Sequence, residues 1–221
     1  MGQTLTHYFT DSQRRFLEEV QREPYLVEKF YLTGGTALSA CYLNHRLSED
    51  IDLFSDASFD ESRVIASMTR IASVLHVPST LEKIHERLRY DLVFPKQNLL
   101  KIDFVFYDFK HIEPVQYVNN LAVDSIGDIA VNKLLSISQR TASKDYVDLY
   151  FLLKKYTIWD LQHGVEHKFK MEIEPFYLSS LFAKVSELTD LPIMKKKLTL
   201  DQLKQFFLIE AKRLASTMVK S

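Results

Sequence analysis

A single cysteine, Cys41, is all the thiol chemistry this chain owns. A disulfide framework within one chain is therefore excluded, and so is a cysteine-based zinc site; such sparing use fits a reducing cytoplasm. No apolar run approaches the ~18–20 residues a membrane span needs, so no membrane partner is expected. The first residues lack the apolar centre of a signal peptide. Met1-Gly2 with Thr6 fits the loose myristoylation pattern, which is short enough to arise by chance. Internal repeats and low-complexity linkers are missing. So is an excess of either charge: the formal net charge is −1, so a nucleic-acid partner would have to use a local patch.

Apolar material is plentiful. Hydrophobic residues make up 46% of the 221, with 15 Phe and 11 Tyr, against 26% charged. That supply suits a sizeable core in one large domain or two small ones.

Two neighbouring stretches carry the most chemistry. Thr33-Gly34-Gly35-Thr36-Ala37-Leu38 reads as a strand ending in a glycine turn that opens a helix, where backbone N–H groups can seat a phosphate. Arg46-Leu47-Ser48-Glu49-Asp50-Ile51-Asp52-Leu53-Phe54 reads as a strand. Asp50 and Asp52, two apart, point to one face, while Ile51 and Leu53 point to the other. One face can hold a cation and the other can pack a core.

Around these, the periodicity predicts helix over 11–22, broken by Pro24, and a short helical piece over 25–30. A strand follows at 30–33, a helix at 36–43 and another at 58–75. Strands are expected at 85–94 and 99–107 around a turn at 95–98, with a last short strand at 115–118. In the second, Lys101, Asp103, Val105 and Tyr107 alternate with Ile102, Phe104 and Phe106. From Ser125 the pattern turns helical, over 125–140, 143–156, 159–169, 174–188 and 200–217, the first opening on the capping signature Ser125-Ile126-Gly127-Asp128. The expected fold class is α+β. An α/β half, a small mixed sheet flanked by helices, would occupy 1–120, and a helical bundle would occupy 121–221.

If the strand of Asp103 lies beside that of Asp50 and Asp52, three carboxylates converge. They repel unless a cation neutralises them, and Mg²⁺, one ion or two, suits oxygen ligands of this kind. An Asp-x-Asp pair alone is usually just solvated; its order after a diglycine turn and before an Asp on an alternating strand is what carries weight.

On these residues the chain resembles the polymerase-beta-like nucleotidyltransferase superfamily, and more closely the AbiEii/AbiGii-type toxin family of bacteria and archaea. The stretches are Gly34-Gly35-Thr36-Ala37-Leu38, Arg46 to Leu53, Lys101-Ile102-Asp103-Phe104, Asp128-Ile129-Ala130-Val131-Asn132-Lys133-Leu134, and Arg140 with Lys144-Asp145-Tyr146-Val147-Asp148-Leu149-Tyr150. The resemblance implies Gly34, Gly35 and Thr36 at the triphosphate of an NTP, Asp50 and Asp52 on Mg²⁺, and a lysine with an aspartate from the helical half. Lys133 fits the lysine; Asp145 and Asp148 both fit the aspartate. It also implies transfer of NMP to an acceptor hydroxyl, in a tRNA or a protein, by the toxin half of a toxin–antitoxin or phage-defence system with a cognate antitoxin. A non-transferring NTP-binding sensor is the alternative.

The residues themselves leave structural readings open. Lys133 shares an apolar stripe with Ile126, Ile129, Ala130 and Ile137, and needs an anion: a phosphate or a neighbouring Asp. Asp145 suits a helix N-terminus and Asp148 can pair with Lys144, or either can act as base or orient Lys133. Arg46 and Ser48 can contact phosphate, or Arg46 can pair with Glu49 or an Asp. Lys101 can balance the acidic cluster or touch the triphosphate. His163 and His167, one turn apart, read as an exposed face before a metal pair, Lys195-Lys196-Lys197 as solvated before a contact with an RNA acceptor, and Trp159 as core.

Overall fold

The alternation that singled out Asp52 also builds the sheet. In the computed structural model, which describes residues 8–217, Ile51 and Leu53 are fully buried while Asp52 between them is half-exposed. The Met1-Gly2-Thr6 pattern lies outside the described residues. In chain order come α1 (Asp11–Val20), α2 (Pro24–Lys29), β1 (Tyr31–Thr33), α3 (Gly34–Ala37) running on as a π-helix (Leu38–Leu43), β2 (Ile51–Ser55), α4 (Glu61–Leu75), β3 (Ser79–Ile84), β4 (Arg87–Phe94), β5 (Asn98–Phe106), β6 (Gln116–Val118) and β7 (Leu121–Val123). Then follow α5 (Ile126–Gln139), α6 (Ser143–Leu152), α7 (Ile158–Phe169), α8 (Pro175–Ala183) with a 3₁₀ turn (Lys184–Glu187), and α9 (Leu200–Thr217).

The described residues divide into two compact units, one of 8–44 and 48–125, the other of 45–47 and 126–217. The first holds a seven-stranded mixed sheet in the order β3-β4-β5-β2-β1-β7-β6. β2 runs antiparallel to β1 and parallel to β5, and β1 runs parallel to β7. One face packs Leu32, Leu53, Leu88, Ile102 and Phe104, each no more than 2% exposed, with the Phe30 ring edge-on to Phe104 at 5.0 Å. At the start of α1 the Thr10 hydroxyl accepts from the Gln13 N–H while the Gln13 side chain returns a bond to the Thr10 N–H, a capping box.

The second unit is helical. Tyr146, fully buried, stacks edge-on with Phe207 at 5.2 Å and donates its hydroxyl to the Leu181 carbonyl at 2.6 Å, joining α6, α9 and α8. Asp128 is no cap in isolation: it is buried in an ion pair with Lys168 at 2.6 Å.

Several elements differ from the periodicity. β7 is only three residues long, too short to show a period, yet it pairs with β1 in the sheet's interior. The strand expected from His85 begins at Arg87, because His85 takes a left-handed φ of 52° in the turn after β3. The helix expected over 36–43 starts at Gly34 and widens to π geometry until left-handed Asn44 ends it. Trp159 is exposed, and its neighbour Ile158 is buried instead. No helix among the described residues is long and apolar enough to cross a membrane.

Candidate active site

In the first unit a polar row crosses the sheet. Thr33 of β1 is opposite Asp52 of β2, Asp52 is beside Asp103 of β5, and Asp103 is opposite Arg89 of β4. Cross-strand partners project from the same face, so these side chains are neighbours. Gly34 follows Thr33 directly and has a φ of +72°, which an L side chain rarely adopts. A Cβ there would fall 2.1 Å from Asp52 Oδ2, so the glycine backbone and the carboxylate are in close approach. Gly34→Ala should therefore both strain the backbone and expel Asp52, destabilising the fold by about 1–3 kcal/mol. Thermal unfolding of the variant checks this, and an unchanged midpoint would refute the close approach.

Asp50 sits one residue before β2, half-buried like Asp52. The Thr36 hydroxyl donates to the Asp50 carbonyl, and the Thr36 side chain is buried, so it holds the entry to the carboxylate strand. Ser48 is tethered through its carbonyl, which accepts from Gln13 Nε2 at 2.7 Å. Asp103 is gripped: Arg89 reaches it with Nε at 2.9 Å and Nη2 at 3.1 Å, and Arg87 at 3.4 Å. That bidentate fork holds the Arg89 guanidinium's pKa above its ordinary value. Both arginines alternate with buried Leu88 and Tyr90 along β4, and the register of β4 on β5 sets them on the face of Asp103. Thr33 donates to Asp124 at 2.7 Å, and Asp124 in turn meets His111 at 3.0 Å; neither partner was singled out from the sequence.

The second unit holds the other charged constellation, and it is buried. Arg46 forks onto Asp148 with Nε at 2.6 Å and Nη2 at 2.8 Å, and gives Nη1 to the Leu47 carbonyl at 2.9 Å. His45 Nε2 lies 2.7 Å from the same carboxylate, and Lys133 Nζ 2.7 Å from its other oxygen. Lys133 also donates to Asp145 at 2.9 Å, and Arg140 binds Asp145 at 2.7 Å. Asp148 thus pairs with Arg46, Lys133 and His45. Both candidate aspartates meet Lys133, which the sequence could not choose between.

Burial alone would raise the pKa of Asp148, but Lys133 and Arg46 reverse this and hold it far below the usual carboxylate range. Asp145 is lowered likewise, by Lys133 and Arg140 against its burial. Burial opposes the charge on Lys133, and the two carboxylates overcome it and raise its pKa. Burial lowers the pKa of His45, against the opposing pull of Asp148, which favours the neutral imidazole. His163 and His167 are exposed on α7 with Glu166 between them, and Lys195, Lys196 and Lys197 are exposed as expected. Cys41 has its thiol pushed up to about 12 by burial, which makes it inert at neutral pH.

This geometry can be set against known proteins. The family described as nucleotidyl transferase AbiEii toxin, type IV toxin–antitoxin system, matches residues 15–216. The chain belongs to the AbiEii toxin family. Its reaction class is nucleotidyl transfer. Protein aq_aa25 of Aquifex aeolicus (strain VF5) is 32% identical over 157 residues, which span 68% of this chain and 69% of that one. Two solved structures share the fold of this AbiEii-family chain. JHP933 from Helicobacter pylori superposes with a TM-score of 0.57 at 20% identity, over 95% of this chain and 93% of that one. A putative nucleotidyltransferase from H. pylori gives 0.55 at 20% identity, over 96% and 98%.

Proposed function

We propose that this AbiEii-family chain transfers a nucleoside monophosphate from an NTP to an acceptor hydroxyl, of a tRNA or a protein, as the toxin of a toxin–antitoxin pair. The observation that carries this reading is Asp52, held against the Gly34 backbone and in register with Asp103. Carboxylate oxygens on one face beside a glycine turn at a helix start suit a divalent ion and a polyphosphate together.

Asp50 and Asp52 would hold Mg²⁺, with Asp103 available to it only in competition with Arg89. When bound, Mg²⁺ supplies charge neutralisation and Lewis acidity at phosphoryl oxygens. The Gly34 and Gly35 backbone would take the triphosphate, and Thr36 fixes the carbonyl of Asp50. Lys133 would offer its ammonium to the phosphates. Asp145 and Asp148 are poor bases: each is held ionised by cations on its oxygens, so their part is to orient Lys133. The acceptor hydroxyl oxygen attacks the α-phosphorus and releases its proton to water, the bond from phosphorus to the bridging oxygen breaks, and pyrophosphate leaves.

Label transfer from four α-labelled NTPs to bulk tRNA or to protein, with Mg²⁺, tests the reading. Binding without transfer to either acceptor would instead mark an NTP-binding module. Growth arrest on induction, relieved by a neighbouring gene, tests the toxin role.

Arg89 gives an independent check on the metal site. A partly exposed ion pair is worth up to about 1 kcal/mol, so Arg89→Ala should tighten Mn²⁺ binding by about fivefold. Calorimetric titration of the nucleotide-free protein reads this. Weaker or unchanged Mn²⁺ binding would show that Asp103 is no metal ligand.

A further inference from the structure

The segment His45-Arg46 separates the glycine-turn helix from the carboxylate strand in sequence, yet it belongs to the helical unit. Both of its side chains are buried, His45 at 0% and Arg46 at 3% exposure. Both donate to one carboxylate, that of Asp148, at 2.6 to 2.8 Å. The segment's backbone is also pinned: the Leu47 N–H donates to the Ile193 carbonyl at 2.7 Å, and the His45 carbonyl accepts from the N–H groups of Lys195 and Lys196 at 2.9 and 3.0 Å. The His45 ring stacks on Phe151 at 5.0 Å, which sets its plane.

We infer that Arg46 and His45 are positioning residues for Lys133, acting through the Asp148 carboxylate they clamp. This rests on the proposed contact of Lys133 with the nucleotide's phosphates. An ammonium has three N–H bonds. Two of those on Lys133 point to Asp145 and Asp148. With both acceptors immobile, the direction of the third is set, and that is the bond geometry offers to an anion. Asp145 is braced from the side of Arg140, whose side chain is 55% exposed and adaptable. Asp148 is braced by the buried pair, which lacks that freedom. A guanidinium fork matches the two oxygens of a carboxylate and fixes its plane, which a point charge does not. The neutral imidazole adds a donor from Nε2 and no charge, so Asp148 is oriented by three groups without a further cation competing for it. His45 Nδ1 is buried with no partner, consistent with the Nε2–H tautomer this requires.

The experiment measures dissociation constants for each of the four NTPs with Mg²⁺, in the full chain. The variants are Arg46→Lys, which keeps the charge and loses the fork, and His45→Phe, which keeps the ring against Phe151 and loses the donor. His45→Gln, which returns a donor at the Nε2 position, serves as rescue. Each of the first two should weaken the preferred NTP by about tenfold, as coupled neighbours do, and His45→Gln should recover most of it. In a Lys133→Met background neither should weaken it further. The ¹⁵N-ammonium resonance of Lys133 should be slow to exchange in the parent and lost to exchange broadening in Arg46→Lys and His45→Phe, without any nucleotide present. Where Arg46→Lys does not fold, His45→Phe with its rescue carries the test. Additive losses in the Lys133→Met background, or an ammonium signal unaltered in folded variants, would overturn the clamp. Lys133→Met that binds every NTP as tightly as the parent would overturn the nucleotide role of Lys133 itself, and that is read in the single variant alone.

Discussion

Asp52→Asn should abolish label transfer, by at least about a thousandfold, the scale on which losing one electrostatic anchor of a transition state is felt. The substitution is nearly isosteric, so the close approach to Gly34 survives and only the charge is lost. Stability should hold or rise, because Asp52 lies beside Asp103 in the sheet and removing one carboxylate relieves like-charge repulsion. The combination of a dead enzyme with an undiminished unfolding midpoint separates a site residue from a structural one. Transfer within tenfold of the parent would remove the acidic strand from the chemistry.

Asp148→Asn should do the opposite and strike the fold. Asp148 is fully buried and receives Arg46, Lys133 and His45. Neutralising it leaves two buried cations facing an amide, and breaking a buried pair in this way costs about 3–5 kcal/mol. Asp145→Asn should cost less, because Arg140 is half in solvent and can turn outward. Chemical denaturation of both variants ranks them; a smaller loss for Asp148→Asn than for Asp145→Asn would refute the network as drawn.

The pH dependence has a definite sign. The folded pKa values of Asp145 and Asp148 are depressed below 3.8, so their stabilisation is complete above that pH and is lost only as pH falls through the folded values. The folded pKa of Lys133 is raised above 10.5, so its share is complete below that pH and is lost as pH rises through the folded value. His45 narrows the window from the acid side. Its folded pKa lies below 6.5, so as pH falls past that value the unfolded imidazole takes a proton that the folded one refuses, and stability drops. The network should therefore be at full strength from about pH 7 to about pH 10.

Local pattern carried much of this protein. A two-residue period put Asp52 and Asp103 on the polar face and Ile51, Leu53, Ile102 and Phe104 in the core, which is how they are placed. The order of glycine turn, paired aspartates and later Lys-Asp elements was enough to recognise the family, since those residues lie close together within each motif. The mixed sheet followed by helices was within reach for the same reason. Pairing of buried charges was not. Arg46 and His45 lie 102 and 103 positions from Asp148, and the spacing of residues on one helix cannot say which distant cation arrives there. The Arg89 fork on Asp103 and the three-residue β7 depend on strand neighbours, which only chain folding supplies. Side-chain direction follows from a residue's own backbone period, whereas the partner that satisfies a buried charge comes from wherever the folded chain brings an opposite one.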